Sequence, residues 1–491
     1  MSPYVLLAFV IGYFILLLIV AWYTSKNSNN ESFFIGNKNS NWMLVAFGMI
    51  GTSLSGVTFV SVPGGVGKES FAYFQIVIGY LIGYIIIAYV LLPLYYRLNL
   101  TSIYTYLSKR LGVASYKTGA SFFILSRTLG ATARLYLVVK ILQDAILTNL
   151  GVPFWLTTLI ILVMILVYTY EGGVKTIVFT DTLQTTFMLT GLVVCVVYIL
   201  HTMNLNVGTA ISAMNEKGYD KIFFTAADSK LFFVKQILAG VFITITMTGM
   251  DQEMMQKTIS VKRLKDSQKN IITLSLIMVA VISLFLFLGG LLHLYGLQQG
   301  VASSGDKLFP DLALHQMPPI VSIIFIIALI SALFPSADGA ITALTSSFCI
   351  DILGMQRRAD WPEAKKKRIR QRVHLFVAFV FLLFVLVFYK VNNPSMIGVI
   401  LKVAAYTYGP LLGLFTFGII SKRQVHDKLV PVVCIAAPAI CYLLDAFQKD
   451  LFGNFQIGLE LLIINGFITY MGLLIISKKS SAQQIKDGIN K

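Results

Sequence analysis

Residues 51–65 read GTSLSGVTFVSVPGG, a run of glycine, serine and threonine inside a longer apolar stretch. Small and hydroxylated residues at this density let a helix unwind inside a bilayer and turn carbonyls and hydroxyls toward an ion or a solute. The same residues also let two helices pack closely. The stretch therefore predicts either a broken membrane-spanning helix or a close helix contact.

The composition around this stretch is that of a membrane protein. Of the 491 residues 57% are hydrophobic and only 12% are charged, a balance that a water-soluble domain does not show. A helix needs about 20 apolar residues to cross a bilayer. About 13 such spans are predicted, at 3–23, 41–64, 71–96, 118–148, 154–171, 176–201, 231–250, 270–296, 319–351, 373–390, 394–420, 428–446 and 456–477.

The formal net charge of +17 follows the positive-inside rule, because the basic residues concentrate in alternate loops. One such loop follows the seventh span and contains Lys257, Lys262, Arg263, Lys265 and Lys269. This alternation predicts that the N-terminus lies outside and that the C-terminal tail, residues 478–491, lies in the cytoplasm. It also makes nucleic acid a poor partner for the positive charge.

Charged residues inside spans are costly and therefore mark functional sites. Asp181 and Asp338 each lie among small and hydroxylated residues, which suits a monovalent cation or a proton. Arg127 and Arg134 are seven residues apart on the fourth span, so both point along one helix face and match a carboxylate or phosphate. The structural alternatives are hydrogen-bonded aspartates, and arginines that pair with Asp144 or another helix.

Five motifs stand out: Val62-Pro63-Gly64-Gly65, the run from Glu171 to Gln184, Asp251-Gln252-Glu253, Ser336-Ala337-Asp338 and Tyr408-Gly409-Pro410. They resemble those of the sodium/solute symporters, a family that includes sodium-coupled sugar, proline, iodide, vitamin, monocarboxylate and sialic acid carriers. The resemblance extends over nearly the whole chain. It implies an all-α membrane fold of the LeuT type, with inverted five-helix repeats at about 41–201 and 231–420, an additional span at 3–23 and two more within 428–477.

The resemblance implies two positions for sodium. The first uses residues of the broken helix and of the ninth span, here Gly51, Leu54, Ala332, Pro335 and Ser336. Many members have serine at position 335, whereas proline offers no hydroxyl and is expected to break the helix. The second, found in some members, would use Asp181, Asp338 and Gly339, where another serine is common. Two oxygen ligands are thus absent while two carboxylates remain, so sodium is the expected coupling ion and a proton the alternative.

The resemblance also implies positions for the solute: Ser55, Thr58, Gln75, Arg127 and Arg134. Ser55 and Thr58 match family contact positions, and Gln75 is a polar side chain nearby. Sialic acid carriers bind the carboxylate with an arginine of the fourth span, although the matching position here falls closer to Gly130.

These features predict a secondary transporter of the plasma membrane that carries a small organic anion, such as a carboxylate or an acidic sugar, by alternating access. The predicted partners are the solute and the lipid bilayer, with no cofactor besides the coupling ion and no obligatory protein partner. A proton-coupled or uncoupled carrier of a neutral sugar or polyol is the alternative, and a solute-gated channel or sensor is another. No nucleophile and base pair is recognisable, so an enzyme is not expected.

Overall fold

The computed structural model describes residues 3–24, 30–358, 360–391 and 395–478, and its regular structure is almost entirely helical. The α-helices are α1 (Pro3–Thr24), α2 (Asn30–Ile35), α3 (Trp42–Ser53), α4 (Gly56–Glu69), α5 (Tyr73–Ile86), α6 (Leu92–Arg97), α7 (Thr105–Arg110), α8 (Val113–Leu142), α9 (Phe154–Thr202), α10 (Val207–Glu216), α11 (Phe233–Thr244), α12 (Gln252–Ile259), α13 (Leu264–Gln298), α14 (Leu308–His315), α15 (Pro319–Ser347), α16 (Glu363–Val391), α17 (Met396–Thr407), α18 (Gly409–Ile420), α19 (Val430–Ala446), α20 (Gln448–Phe452) and α21 (Leu461–Ile475).

Shorter elements connect these helices. The π-helical turns Ile87–Leu91, Gln143–Leu147, Ile245–Gly249 and Phe348–Ile352 extend α5, α8, α11 and α15. The 3-10 turns are Gly36–Lys38, Thr148–Leu150, Gly305–Lys307, Met355–Arg357 and Asp427–Leu429. Two short strands, β1 (Gln424–Val425) and β2 (Ser477–Lys478), pair antiparallel.

Many of these helices are long and apolar enough to cross a bilayer. Within the described residues eight single helices meet this criterion, and three bent helix pairs raise the number to as many as eleven. Two shorter apolar helices, Phe154–Tyr170 and Leu461–Ile475, coincide with two further predicted spans. The chain is therefore a multi-spanning membrane protein. The count of 13 and the orientation stay predictions, and residues 479–491 of the predicted tail lie outside the described residues.

The glycine- and serine-rich stretch forms a bent span rather than a straight helix. The axes of α3 and α4 differ by 56°. Leu54 and Ser55 between them leave helical geometry, with ψ of 73° and 170°. Unpaired backbone groups are tolerated at this depth only where they face protein or a cavity. Of the two interpretations of this stretch, the broken helix is therefore correct.

A second bend of 64° separates Phe233–Gly249 from α12, just where the predicted span 231–250 ends. The Asp251 carboxylate accepts hydrogen bonds from the backbone N–H groups of Glu253 and Met254, so it caps α12. Every residue of α12 is buried, including Lys257 at 2% exposure. The prediction that Lys257 belongs to a basic loop is wrong, because the chain bends back into the protein before that loop begins.

Helix α15 lies at the centre of the bundle, where it packs against α9, α8 and α3. Every residue from Ala328 to Ser347 is buried, as expected for a helix that is apolar on all sides. The helix continues through Pro335, so the expectation of a break there is wrong. Proline has no N–H, and the carbonyl of Ser331 one turn earlier therefore lacks its usual helical donor.

Glycine is required at one further bend, inside α9. Gly173 has φ of 53° and ψ of −144°, which lie outside helical geometry. A Cβ at this position would lie 2.5 Å from the Cα of Phe33 in α2. The bend falls between the predicted spans 154–171 and 176–201, so one continuous apolar run is divided into two helices.

Candidate functional site

A cavity lies beside the break between α3 and α4. Its polar wall at the break is formed by Thr52, Ser53, Ser55 and Thr58. It also reaches Tyr73 at the start of α5. The predicted solute residues Ser55 and Thr58 therefore lie together in one cavity, although both side chains are themselves largely buried.

Three tyrosines that the sequence interpretation missed line the same cavity. Tyr73, Tyr80 and Tyr84 all lie on α5, and the hydroxyls of Tyr73 and Tyr80 are 3.3 Å apart. Their spacing of seven and four residues places them on one helix face, and this spacing was the signal available in the sequence. The hydroxyls add hydrogen-bonding groups opposite the broken helix.

Arg127 and Arg134 both line the cavity, as their spacing predicts. The Arg127 guanidinium donates to the Glu253 carboxylate and lies 3.8 Å from Asp251. Arg127 is therefore paired with another helix, which is the structural alternative, while Asp144 pairs with Lys140 instead.

Arg134 has a different environment from Arg127. Among the residues that the structure describes, no carboxylate lies within ion-pair distance of Arg134. Its side chain is partly exposed and also approaches Gly130, the position closest to the family's arginine. Arg134 is thus a guanidinium directed at the cavity and available to an anion.

Gln75, the other predicted solute residue, does not line the cavity. Its side-chain amide donates to the carbonyls of Ala72 and Leu231 and accepts from the N–H of Phe224. The side chain is fully buried. Gln75 therefore connects α5 with the segment that precedes α11.

A cluster of buried charges lies behind the cavity, on the side of α12. The Lys257 ammonium donates to Asp181 at 2.7 Å and to the Thr52 hydroxyl at 2.8 Å. It also lies 3.6 Å from Glu253. The sequence shows no cation near Asp181, because its partner is contributed by a different part of the chain. Asp181 is therefore an ion-paired carboxylate in this structure.

Two other carboxylates of the cluster, Asp338 and Asp251, accept hydrogen bonds from tyrosine hydroxyls. The Tyr168 hydroxyl donates to Asp338 at 2.6 Å, and the Tyr408 hydroxyl donates to Asp251 at 2.8 Å. Tyr408 lies at the 45° bend between α17 and α18. The cluster thus connects α9, α12, α15 and the third bent span.

The five residues of the first sodium position come from two helices that face each other. The end of α3 approaches α15, since a Cβ at Gly51 would lie 3.4 Å from the ring of Pro335. Ala332 and Ser336 are buried in the same turns of α15, and the Ser336 hydroxyl donates to the Leu333 carbonyl at 2.8 Å. Leu54 lies at the break itself.

The far end of α4 is held by a loop between α13 and α15. The Asp306 carboxylate accepts a hydrogen bond of 2.9 Å from the backbone N–H of Met396, where α17 begins. A Cβ on Gly64 would clash with the Gly305 carbonyl. Burial raises the pKa of Asp306, and the hydrogen bond from Met396 opposes this rise. This loop therefore connects α4 with α17.

Comparisons with known proteins agree with this arrangement. A model of the Sodium:solute symporter family matches residues 33–427. The sodium/sialic acid symporter SiaT of Proteus mirabilis is 23% identical over 488 residues, with 94% of each chain covered. The sodium/sialic acid symporter NanT of Aliivibrio fischeri is 22% identical over 460 residues, which cover 90% of this chain and 88% of NanT.

Two solved structures have the same fold. The substrate-bound outward-open state of a Na+-coupled sialic acid symporter superposes with a TM-score of 0.82 at 19% identity, over 97% of this chain and 99% of that chain. Mhp1, a nucleobase-cation-symport-1 family transporter, superposes with a TM-score of 0.58 at 13% identity, over 94% and 98%. The predicted helical transporter fold is confirmed, whereas the bounds of the two repeats stay predictions.

Proposed function

The chain belongs to the sodium:solute symporter family, and we propose that it carries a small organic anion across the plasma membrane together with sodium. As a member of this family it is a membrane transporter and not an enzyme. Two relatives that match over most of their length are sodium/sialic acid symporters. This supports an acidic sugar or another carboxylate as the solute.

Arg134 is the observation that carries the proposal of an anionic solute. It lines the cavity together with Arg127, but only Arg127 is paired with a carboxylate among the described residues. An unpaired guanidinium in a low-dielectric site is costly unless an anion neutralises it. A solute carboxylate that accepts two parallel hydrogen bonds from the Arg134 guanidinium neutralises its charge. The serine, threonine and tyrosine hydroxyls around it suit the hydroxyl groups of a sugar acid.

The test of the solute is uptake into proteoliposomes with an inward sodium gradient. Labelled sialic acid, simple monocarboxylates and neutral sugars are offered to the wild type, to Arg134→Gln and to Lys140→Gln. The last variant removes a positive charge from the same helix at an exposed ion pair. We expect anion uptake that Arg134→Gln reduces at least tenfold and Lys140→Gln leaves intact. Uptake of neutral sugars alone, unaffected by Arg134→Gln, contradicts the proposal and favours the neutral-solute alternative.

Sodium coupling is supported by oxygen groups at the first position. Gly51 and Leu54 lie where α3 ends, and helix ends carry carbonyls that have no helical partner. The Ser331 carbonyl, freed by Pro335, adds an oxygen directly before Ala332 and within two turns of Ser336. The hydroxyl that Pro335 lacks is thus offset by a carbonyl within the same helix.

The coupling ion is tested by applying a sodium gradient and a pH gradient separately. We expect concentrative uptake with a sodium gradient at equal pH on both sides. Full uptake without sodium, driven by a pH gradient, would show that the proton is the coupling ion. Uptake that only equalises the solute concentration across the membrane would support the alternative of a solute-gated channel.

Alternating access is supported by the positions of the bends. One bent span opens each of the proposed repeats, α3 with α4 near the start of 41–201 and α11 with α12 near the start of 231–420. The cavity lies between them, because both bent spans contribute to its lining. Movement of one repeat against the other would expose this cavity to each side in turn.

A further inference from the structure

We propose that Lys257 is a resident cation: its ammonium takes the place of a second sodium ion, and the chain carries sodium only through the first position. The inference deepens the proposed function and rests on the sodium coupling stated there. It concerns Asp181, Asp338 and Gly339, the three residues that match a second sodium position.

The contacts of Lys257 are those of a bound cation. Its Nζ is 2.7 Å from Asp181 Oδ2 and 2.8 Å from Thr52 Oγ1, and Glu253 Oε1 is 3.6 Å away. The side chain is 3% exposed and Asp181 is 1% exposed. A charged amine at this depth is held only by such partners. Three oxygens from three different helices thus surround one ammonium.

Gly339, on α15, approaches the Lys257 ammonium and the Glu253 carboxylate closely. A Cβ there would lie 3.0 Å from Lys257 Nζ and would clash with Glu253 Oε1. The space in which a serine side chain would offer its hydroxyl is therefore occupied by a carboxylate and an ammonium. A residue larger than glycine at position 339 is incompatible with the observed positions of Glu253 and Lys257.

A second sodium does not fit while Lys257 remains in place. An ion bound between Asp181 and Asp338 would lie next to an ammonium of the same charge, and because all three side chains are buried their repulsion is weakly screened. The Asp338 carboxylate is further engaged by the Tyr168 hydroxyl and by the backbone N–H of Gly339. The residues present disagree with the second sodium position of the family.

Removal of the ammonium should uncover a site for the ion. Asp181 Oδ1 and Glu253 Oε1 are buried and accept no hydrogen bond from the described residues. With Lys257 replaced by an uncharged side chain, Asp181 Oδ2 and the Thr52 hydroxyl join them. Hard oxygen ligands with excess negative charge are what a small cation requires. A purely structural lysine would not produce a new ion site when it is removed.

The experiment counts sodium ions bound to the purified full-length protein with radioactive sodium, in detergent, with and without added sialic acid. The wild type is compared with Lys257→Met and with Lys230→Met, which breaks an exposed ion pair with Glu69. We expect one ion per wild-type chain and per Lys230→Met chain, and two per Lys257→Met chain. The variant Lys257→Gln removes the same charge, keeps a polar side chain beside Asp181 and leaves Glu253 in place, so it replaces Lys257→Met if that variant does not fold.

The outcomes separate this inference from the proposed function. Two ions bound to the wild type overturn the resident cation but leave sodium coupling intact. No gain of an ion in either Lys257 variant also overturns it. A wild type that binds no sodium and whose uptake ignores sodium overturns the proposed coupling itself.

Discussion

Replacement of Arg127 by methionine is expected to destabilise the protein strongly, and simultaneous replacement of Glu253 is expected to add no further loss. The two side chains are 4% and 1% exposed, and the guanidinium contacts the carboxylate directly. Removal of one partner leaves the other charge buried without compensation, whereas removal of both leaves an apolar contact.

The expected loss in the free energy of unfolding depends on which ion-pair partners the remaining charge keeps. Loss of one member of a buried ion pair costs about 3–5 kcal/mol. Glu253 keeps Lys257 at 3.6 Å and Arg127 keeps Asp251 at 3.8 Å, so the lower end of this range applies. Arg127→Met and Glu253→Met are each expected to lose about 3 kcal/mol, and the double variant no more than either, which gives a coupling free energy of about 3 kcal/mol.

The assay is equilibrium unfolding of the four proteins in mixed micelles, followed by intrinsic fluorescence. The control cycle uses Lys230→Met and Glu69→Met, a pair 3.8 Å apart with both side chains about half exposed. Its coupling is expected to be below about 1 kcal/mol. Equal coupling free energies in the Arg127/Glu253 and Lys230/Glu69 cycles would refute the structural role of Arg127. They would instead support a role for Arg127 in binding the solute.

Three further predictions concern single residues. Burial raises the folded pKa of Asp306 above 3.8, so its contribution to the free energy of unfolding is present below that value and is lost as pH rises through the folded pKa. Asp306→Asn should therefore flatten the pH dependence of the melting temperature, and a pH dependence equal to that of the wild type would contradict this. Pro335→Ala returns a donor to the Ser331 carbonyl and should raise the half-saturating sodium concentration for uptake several-fold; an unchanged value contradicts a role for that carbonyl. Gly173→Ala should cost at least about 1–3 kcal/mol of stability, visible as a lower melting temperature, because φ is 53° there; a wild-type melting temperature would contradict this backbone strain.

The sequence allowed the bent helix and the buried aspartates to be predicted for physical reasons. A backbone that turns away from a helix inside a membrane needs small residues, so the glycines and serines of residues 51–56 made a break one of two interpretations, beside close helix packing. Asp181 and Asp338 stand out because charges are rare inside apolar runs. The spacing of Arg127 and Arg134 places them on one face without knowledge of any other helix.

The partners of these residues were beyond the reach of the same reasoning. Lys257 is followed by several further basic residues, and the positive-inside rule treats all of them alike. Lys257 differs from them because the bend at Asp251 starts a buried helix, α12, that ends at Ile259 before the other basic residues begin. The sequence carried a signal for that bend in an acidic cap followed by Glu253. Gln75 shows the opposite error, since a polar residue near the cavity bonds to backbone groups of a distant segment instead.

Helix α12 is only eight residues long, yet it presents Glu253 to Arg127 of the cavity and Lys257 to Asp181 of the charged cluster. Met254 of the same helix lines the cavity, and Lys257 also donates to Thr52, next to Gly51 of the first sodium position. Because a helix of about two turns moves as one body, we expect the occupancies of the proposed solute and sodium sites to be thermodynamically linked through it. Such linkage is reciprocal: the factor by which sodium raises the affinity for the solute equals the factor by which the solute raises the affinity for sodium. A substitution on α12 should therefore change both factors equally, however far its side chain lies from either ligand.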